Sequence, residues 1–490
     1  MKKISIDPVT RLEGHGKIEI FLNEAGEVAN TYFQIPELRG FEKFTEGRPA
    51  EEMPQITQRI CGVCPEAHHM ASAKALDAVF HTDPPPVAKK LRELLYSCFY
   101  VTDHATHFYI LAGPDFVMGP DAPVAQRNII GVIGKVGLEL GGAVIKTRMR
   151  NHHVIQMLGG RAVHPVFGLP GGVSKGLNEE ERKEVEGIAN ESLEFAKLSL
   201  KVFDDIVLKN QAYVDMILSD AFTHQTYYMG LVDDQNKVNF YDGNVRIVDP
   251  AGKEFARFAP ADYLNHIAEH VEPWSYIKFP FLKNIGWKGF VDGRESGVVR
   301  AAPLARLNAA EGLATPLAQE YYEKFYATLG GKPVHHTLAT HWARLIELLY
   351  AAERFVELVK DPEITSPNIR TIPTATPDEG VGIVEAPRGT LVHHYITDAN
   401  GIIRQANLIV ATVFNSAAIN MSVKKAAMGL IKPGKEITEG LLNRVEMAWR
   451  PYDPCFGCAT HSLPGQSPFE IIIRDAAGRE IKRLGKRFHA

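Results

Sequence analysis

The sequence has little cysteine: five residues in 490, at positions 61, 64, 98, 455 and 458. That is too few for the disulfide framework of a small secreted domain. Neither sign of charge dominates. Lys and Arg number 54 against 58 Asp and Glu, a formal net charge of -4, and no basic stripe of the kind that tracks a phosphate backbone is present, so no nucleic-acid partner is expected. Long hydrophobic runs are missing too. The most apolar stretch, Ala406 to Met421, is broken by Asn407, Thr412, Asn415 and Asn420 and falls short of the ~18 residues that cross a bilayer, so no membrane span is expected. Met1 to Asp7 carries two lysines but neither the apolar core nor the cleavage site of a signal peptide, which points to a cytoplasmic location.

What is present is the material of a large folded body, with 45% hydrophobic and 23% charged residues and neither internal repeats nor low-complexity linkers. KISIDP and KIEIFLNEAGEVANTYFQI alternate apolar and polar residues around a turn at Asn23 to Gly26, predicting a small antiparallel sheet. Helical periodicity follows over Pro86 to Leu111, Ala122 to Leu158 and Glu179 to Ser219, the last opened by Asn178 and three glutamates. Residues 233–293 read as strands and irregular loops, with helices again at Pro316 to Leu329 and His335 to Lys360. Gly380 to Gln405 reads as a hairpin turning at Asp398 to Gly401. The expected fold is mixed α and β, mainly α: a long core helix bundle with small peripheral antiparallel sheets, integrated over residues 1–461.

Four of the cysteines form two CxxC pairs, in RICGVCPEAHH (Arg59 to His69) and DPCFGCATH (Asp453 to His461), separated by 390 residues. On spacing alone such pairs also fit a structural tetrahedral zinc. A structural zinc usually closes a short loop, however, whereas joining the two ends of a large chain buries a centre inside the fold, and soft thiolates suit nickel and iron equally.

The two motifs together resemble the paired signatures of nickel-iron hydrogenase large subunits. Further family-like segments, DPVTRLEGHGKIEI, LRGFEKFTEGRP, HATHFYILAGPDF, GGRAVHPVFGLPGG and EAPRGTLVHH, extend the resemblance over nearly the whole chain. It implies the family's fold and reversible heterolytic cleavage of hydrogen into protons and electrons. It further implies that Cys61, Cys64, Cys455 and Cys458 bind nickel, that Cys64 and Cys458 bridge to iron, and that the iron carries carbonyl and cyanide ligands. A proton would pass from Cys455 to Glu13, for which a salt bridge with Arg11 is the plainer reading. Arg388 would hang its fixed charge over the metals, with Pro387 beside it and Asp115 and Asp453 orienting the guanidinium. The resemblance also implies a hydroxyl contribution from Thr412 to an iron-bound cyanide, and a magnesium or iron ion held by Glu42, His461 and the Leu408 carbonyl. His68, four residues after Cys64, is a candidate support for the bridging thiolate. His164 resembles a residue facing the partner's nearest cluster, and Cys98 reads as core.

Family members are made as precursors and cut after the histidine of the second motif, which places the cut between His461 and Ser462. The 29 residues beyond His461 are then a removable extension, with a maturation endopeptidase and nickel chaperones as partners. The plainer reading of that tail is a permanent strand-turn-strand hairpin. With one cysteine left after the four ligands, the chain cannot hold an iron-sulfur cluster of its own. The resemblance therefore implies an iron-sulfur small subunit, together with further electron-transfer subunits. Its branch is the cytoplasmic bidirectional one, nearest the type that does not reduce deazaflavin and serves heterodisulfide-reductase-like or ferredoxin partners, with NAD-linked relatives next. Rival readings are a zinc-stabilised structural or assembly subunit, or else a metal-free, quinone-binding relative, which would lack the four cysteines.

Overall fold

The computed structural model describes residues 2–461, 470–474 and 480–485. The alternating N-terminal segments form the antiparallel sheet β1 (Lys2–Ile6), β2 (Lys17–Leu22) and β3 (Val28–Gln34), with Ile18, Ile20 and Leu22 on the buried face. Next come helix α1 (Pro65–Val79), which carries the first CxxC pair at its start, and α2 (Pro86–Thr106). The pattern expected to run from 122 to 158 divides into α3 (Ile129–Val136) and α4 (Leu138–Gly159). The break is Gly137, whose φ of 94° is a conformation glycine reaches without a Cβ clash. Helix α5 (Glu179–Phe203) starts on a capping box in which Asn178 and Glu181 bond each other's backbone, then ends in a π-helical turn before a short helix, Gln211–Leu218.

A four-stranded sheet covers part of the middle of the chain: β4 (Tyr227–Val232), β5 (Asn244–Val248), β6 (Glu254–Phe258) and β7 (Val299–Arg300), with β7 pairing parallel to β4. Helices α6 (Pro316–Thr328) and α7 (Thr340–Lys360) follow, and α7 packs against α5 and α2 as the centre of the bundle. The expected hairpin is a three-stranded antiparallel sheet, β8 (Glu379–Ala386), β9 (Gly389–Thr397) and β10 (Ile403–Ile409), turning at Asp398 to Gly401. This sheet is not peripheral. α1 lies directly on β8, because Gly380 and Gly382 have no Cβ to keep the helix backbone away.

Helix α8 (Ala411–Leu430) is the apolar stretch that the asparagines interrupt. It is buried on every side over its first thirteen residues, as a core helix is, and no helix among the described residues is long and apolar enough to cross a membrane. Of the tail, strands Glu470–Arg474 and Glu480–Gly485 pair antiparallel, as strand-turn-strand patterning expects. Ser462, and with it the expected cleavage bond, lies outside the described residues.

Candidate metal centre

Each pair of cysteines is presented by a local device. Pro65 opens α1 at the position where a missing N–H costs nothing, and Cys64 is its N-cap. The turn is closed by the amides of Val63 and Cys64 donating to Cys61 Sγ at 3.2 and 3.0 Å. At the other end of the chain Asp453 adopts a left-handed φ of 54°, which turns the backbone into Cys455. The Cys455 amide donates to Thr412 Oγ1 at 3.0 Å, and the Phe456 amide to the Glu13 carbonyl at 3.0 Å. Arg39, which lies in the LRGFEKFTEGRP segment but to which the sequence assigns no role, joins the two loops: its guanidinium donates to the carbonyls of Arg59, Ile60 and Gly457.

These devices bring the Sγ atoms of Cys61, Cys64, Cys455 and Cys458 within 4.8 Å of one another, all buried. Cys455 and Cys458 approach to 2.7 Å, Cys61 and Cys455 to 3.6 Å, and Cys64 and Cys458 to 4.0 Å. Burial pushes the Cys455 and Cys458 thiols well above their ordinary range, and four thiolates at such distances repel. A soft cation among them removes that penalty, so the donor set fits nickel and iron.

Glu13 Oε2 lies 2.9 Å from Cys455 Sγ and accepts the Gly457 amide at 3.1 Å. Burial raises its pKa above the ordinary glutamate value. Arg11 does not pair with it. The Arg11 guanidinium donates to Asp115 at 2.6 Å and to the Leu111 carbonyl at 3.0 Å.

Arg388 is buried beside the thiols. Burial works against its charge, but Asp103, Asp453, Cys64 and Cys455 outweigh burial and hold the guanidinium protonated. Its Nη1 donates to Asp103 Oδ2 at 3.0 Å, and its Nη2 lies 2.9 Å from Asp453 Oδ2. Here one expectation is corrected: Asp115 does not orient Arg388. It is taken up by Arg11, Arg450 and Asn443, and the second carboxylate on Arg388 is Asp103. That residue immediately precedes the HATHFY motif, in the last turns of α2, and only the tertiary packing turns it toward Arg388.

The three residues expected to hold a hard cation line one small cavity. Glu42, Leu408 and His461 share it with Glu269, Tyr276, Lys278, Val413 and Ala459. Glu42 Oε1 accepts the Leu408 amide at 2.9 Å, and His461 is held neutral by burial, its pKa lowered to about 3, as a metal-binding imidazole must be. His461 Nδ1 has no hydrogen-bond partner among the described residues. His68 is buried, with Nδ1 3.1 Å from His393 Nε2 and its own Nε2 unpartnered among the described residues. His69 is a core residue whose Nε2 accepts the amides of Phe167 and Gly168. His164 Nε2 lies 3.0 Å from the Cys61 carbonyl, and Cys98 is fully buried in α2. The Pro387 carbonyl accepts from Arg306 and Arg344.

The family model described as nickel-dependent hydrogenase matches residues 39–127 and 293–461, and one described as HoxL-like matches 3–38. The chain belongs to the nickel-dependent hydrogenase family. It is 51% identical, over 99% of both chains, to a protein of Archaeoglobus profundus named as an iron-sulfur subunit of an F420-non-reducing hydrogenase. The subunit beta of the NAD-reducing hydrogenase HoxS of Cupriavidus necator is 40% identical, with 98% of this chain and 99% of that one covered. Among solved structures, that of an NAD+-reducing [NiFe]-hydrogenase in the H2-reduced state superimposes with a TM-score of 0.88 at 37% identity, covering 94% of this chain and all of that one. The four buried thiols are thus the nickel-iron site of a hydrogenase large subunit, and the zinc-stabilised structural reading gives way.

Proposed function

We propose that this hydrogenase large subunit cleaves hydrogen reversibly with Cys455 and Glu13 as the first two proton carriers, under the fixed charge of Arg388. Cys61, Cys64, Cys455 and Cys458 would hold the nickel-iron pair, with Cys64 and Cys458 as the thiolates that iron would share, and the pair when bound would supply the electrophilic centre that polarises hydrogen and takes up its two electrons. The single observation that carries the proton route is the 2.9 Å approach of Cys455 Sγ to Glu13 Oε2. A carboxyl whose pKa burial has raised both takes and releases a proton closer to neutrality than an exposed glutamate does. Arg388 stays charged at every working pH and holds a fixed field over the thiolates. Pro387, Asp453 and Asp103 shape its surroundings.

Carbonyl and cyanide on the iron, with Thr412 near the cyanide, belong to the same reading. So does a magnesium or iron ion held by Glu42, His461 and Leu408, for which an anionic oxygen, a neutral imidazole and a carbonyl around one cavity are suitable donors. Electrons leave through an iron-sulfur small subunit past His164. We assign the assembly to the cytoplasm, where further subunits pass electrons to heterodisulfide-reductase-like, ferredoxin-linked or NAD-linked acceptors; of these, only the NAD-linked acceptor has support in a relative's name, that of the NAD-reducing hydrogenase. The bond between His461 and Ser462 is the proposed maturation cut, made by an endopeptidase after nickel chaperones have loaded the site.

Metal content and infrared absorption of the complex purified from its native host test the centre. Nickel and iron with carbonyl and cyanide bands are expected. Zinc alone would overturn the reading.

A further inference from the structure

Behind the metal centre, α7 places Arg344 in a position that none of the motifs describes. The side chain is completely buried. Its Nη1 donates to the Pro387 carbonyl at 3.1 Å and to His104 Nδ1 at 3.2 Å, and its Nη2 donates to the Pro451 carbonyl at 3.0 Å. Nη1 also lies 3.6 Å from Asp453 Oδ2, the carboxylate oxygen that pairs with Arg388. One planar guanidinium thus spans the turn carrying Arg388 and the turn leading into the second cysteine pair.

The geometry around it is fixed in turn. Because Arg344 donates to His104 Nδ1, the ring proton of neutral His104 sits on Nε2, which faces Glu347 Oε2 at 3.1 Å. Glu347 accepts a two-pronged contact from Arg306 at 2.6 Å on each oxygen. Arg306 then donates to the Ala386 and Pro387 carbonyls. The Arg388 turn is therefore held from two sides by buried arginines. Charge matters as well: Arg388 alone faces two buried carboxylates, Asp103 and Asp453, and Arg344 balances the second. A buried ion network is a poor source of net stability, because apolar residues of the same volume often serve as well. Its sharper consequence is a single fixed geometry.

We propose that Arg344 is a positioning residue for hydrogen cleavage, setting the place and the effective charge of the Arg388 guanidinium over the thiolates through Asp453 and the Pro387 carbonyl. The inference rests on the reading of Arg388 given above. A lysine at 344 keeps the charge but cannot reach two carbonyls and a ring nitrogen at once.

Arg344→Lys, Arg388→Lys and the double variant, each in the whole complex, test it by turnover, metal content and the infrared bands of the iron-bound ligands. Arg344→Lys should retain nickel and iron and lose about 10- to 100-fold in turnover, as substitutions behind a metal site do. Its bands should move in the same direction as those of Arg388→Lys. The double variant should fall no more than about threefold below Arg388→Lys alone, because the two residues act through one guanidinium. Fully multiplied losses, or bands unmoved in Arg344→Lys, would overturn the proposal while leaving Arg388 in place. An Arg388→Lys variant with unchanged turnover would overturn both. Should Arg344→Lys fail to assemble, His104→Gln removes the ring acceptor and should move the bands the same way, and His104→Asn, whose Oδ1 can accept at the Nδ1 position, should reverse most of that shift. Unshifted bands in His104→Gln would equally overturn it.

Discussion

On the proposed route a proton on Cys455 would meet a carboxylate oxygen of Glu13 at 2.9 Å, itself steadied by the Gly457 amide at 3.1 Å. An amide in place of that carboxyl keeps the shape and the Gly457 contact but cannot carry a proton. Glu13→Gln should therefore retain nickel and iron and slow hydrogen-deuterium exchange at least ~100-fold, the scale of a lost acid-base group. Exchange at the parent rate would remove Glu13 from the route. The backbone reinforces this residue: Gly14, with φ +86°, lies where a Cβ would meet the Gly457 amide at 2.7 Å, so the connection bearing Glu13 runs against the cysteine loop itself, bridging to Cys455.

At the scale of elements, the contact between α1 and β8 anchors the helix whose N-cap is Cys64. A Cβ at 382 would overlap the Ala71 carbonyl and the Ala75 amide, and helix backbone cannot yield as a flexible side chain can. Gly382→Ala should cost about 3 kcal/mol or more, at the upper end of overpacking penalties, visible as a lower melting temperature and reduced metal content. A melting temperature equal to that of the parent would show that α1 has room to shift. By contrast, Asn178→Ala removes a cap at an exposed helix start. It should cost about 1 kcal/mol, read as faster amide exchange confined to the first turn of α5, and exchange unchanged there would mean that the cap contributes nothing.

The start of α5 was legible because capping is local: Asn178 and Glu181 are three residues apart. α8 was legible as apolar but not as a helix, since a segment buried on all sides carries no periodicity to count. The division at Gly137 escaped for the opposite reason, because apolar residues continue in helical register across it.

Over the whole molecule, the fold exists to bring two distant sequence motifs to one point. The cysteines were legible because their chemistry repeats in a short pattern. The choice of Asp103 over Asp115 was not, because Asp103 sits just before the motif that contains Asp115, and tertiary packing alone directs Asp115 to Arg11 and Arg450 while Asp103 turns to Arg388. The same logic explains why Arg39 and Arg344 went unseen: each acts by spanning carbonyls from segments far apart in sequence, and a carbonyl leaves no mark on residue identity.

This architecture makes the C-terminal motif dependent on what it binds. Residues 453–461 are held by backbone contacts of Phe456 to Glu13 and Arg39 to Thr460, by the side chains of Thr412, Glu13, Arg39 and Arg388, and, on the reading proposed above, by the bonds that Cys455 and Cys458 would make to metal. A ligand that binds the folded arrangement alone stabilises it by mass action. In the full-length chain, amide exchange across 453–461 should be at least about 10-fold slower with nickel and iron bound than without them. Exchange in α7, held by its own packing, should change far less. Equal protection of 453–461 in the two forms would mean that the chain alone fixes the second cysteine pair, and that metal enters a site already closed.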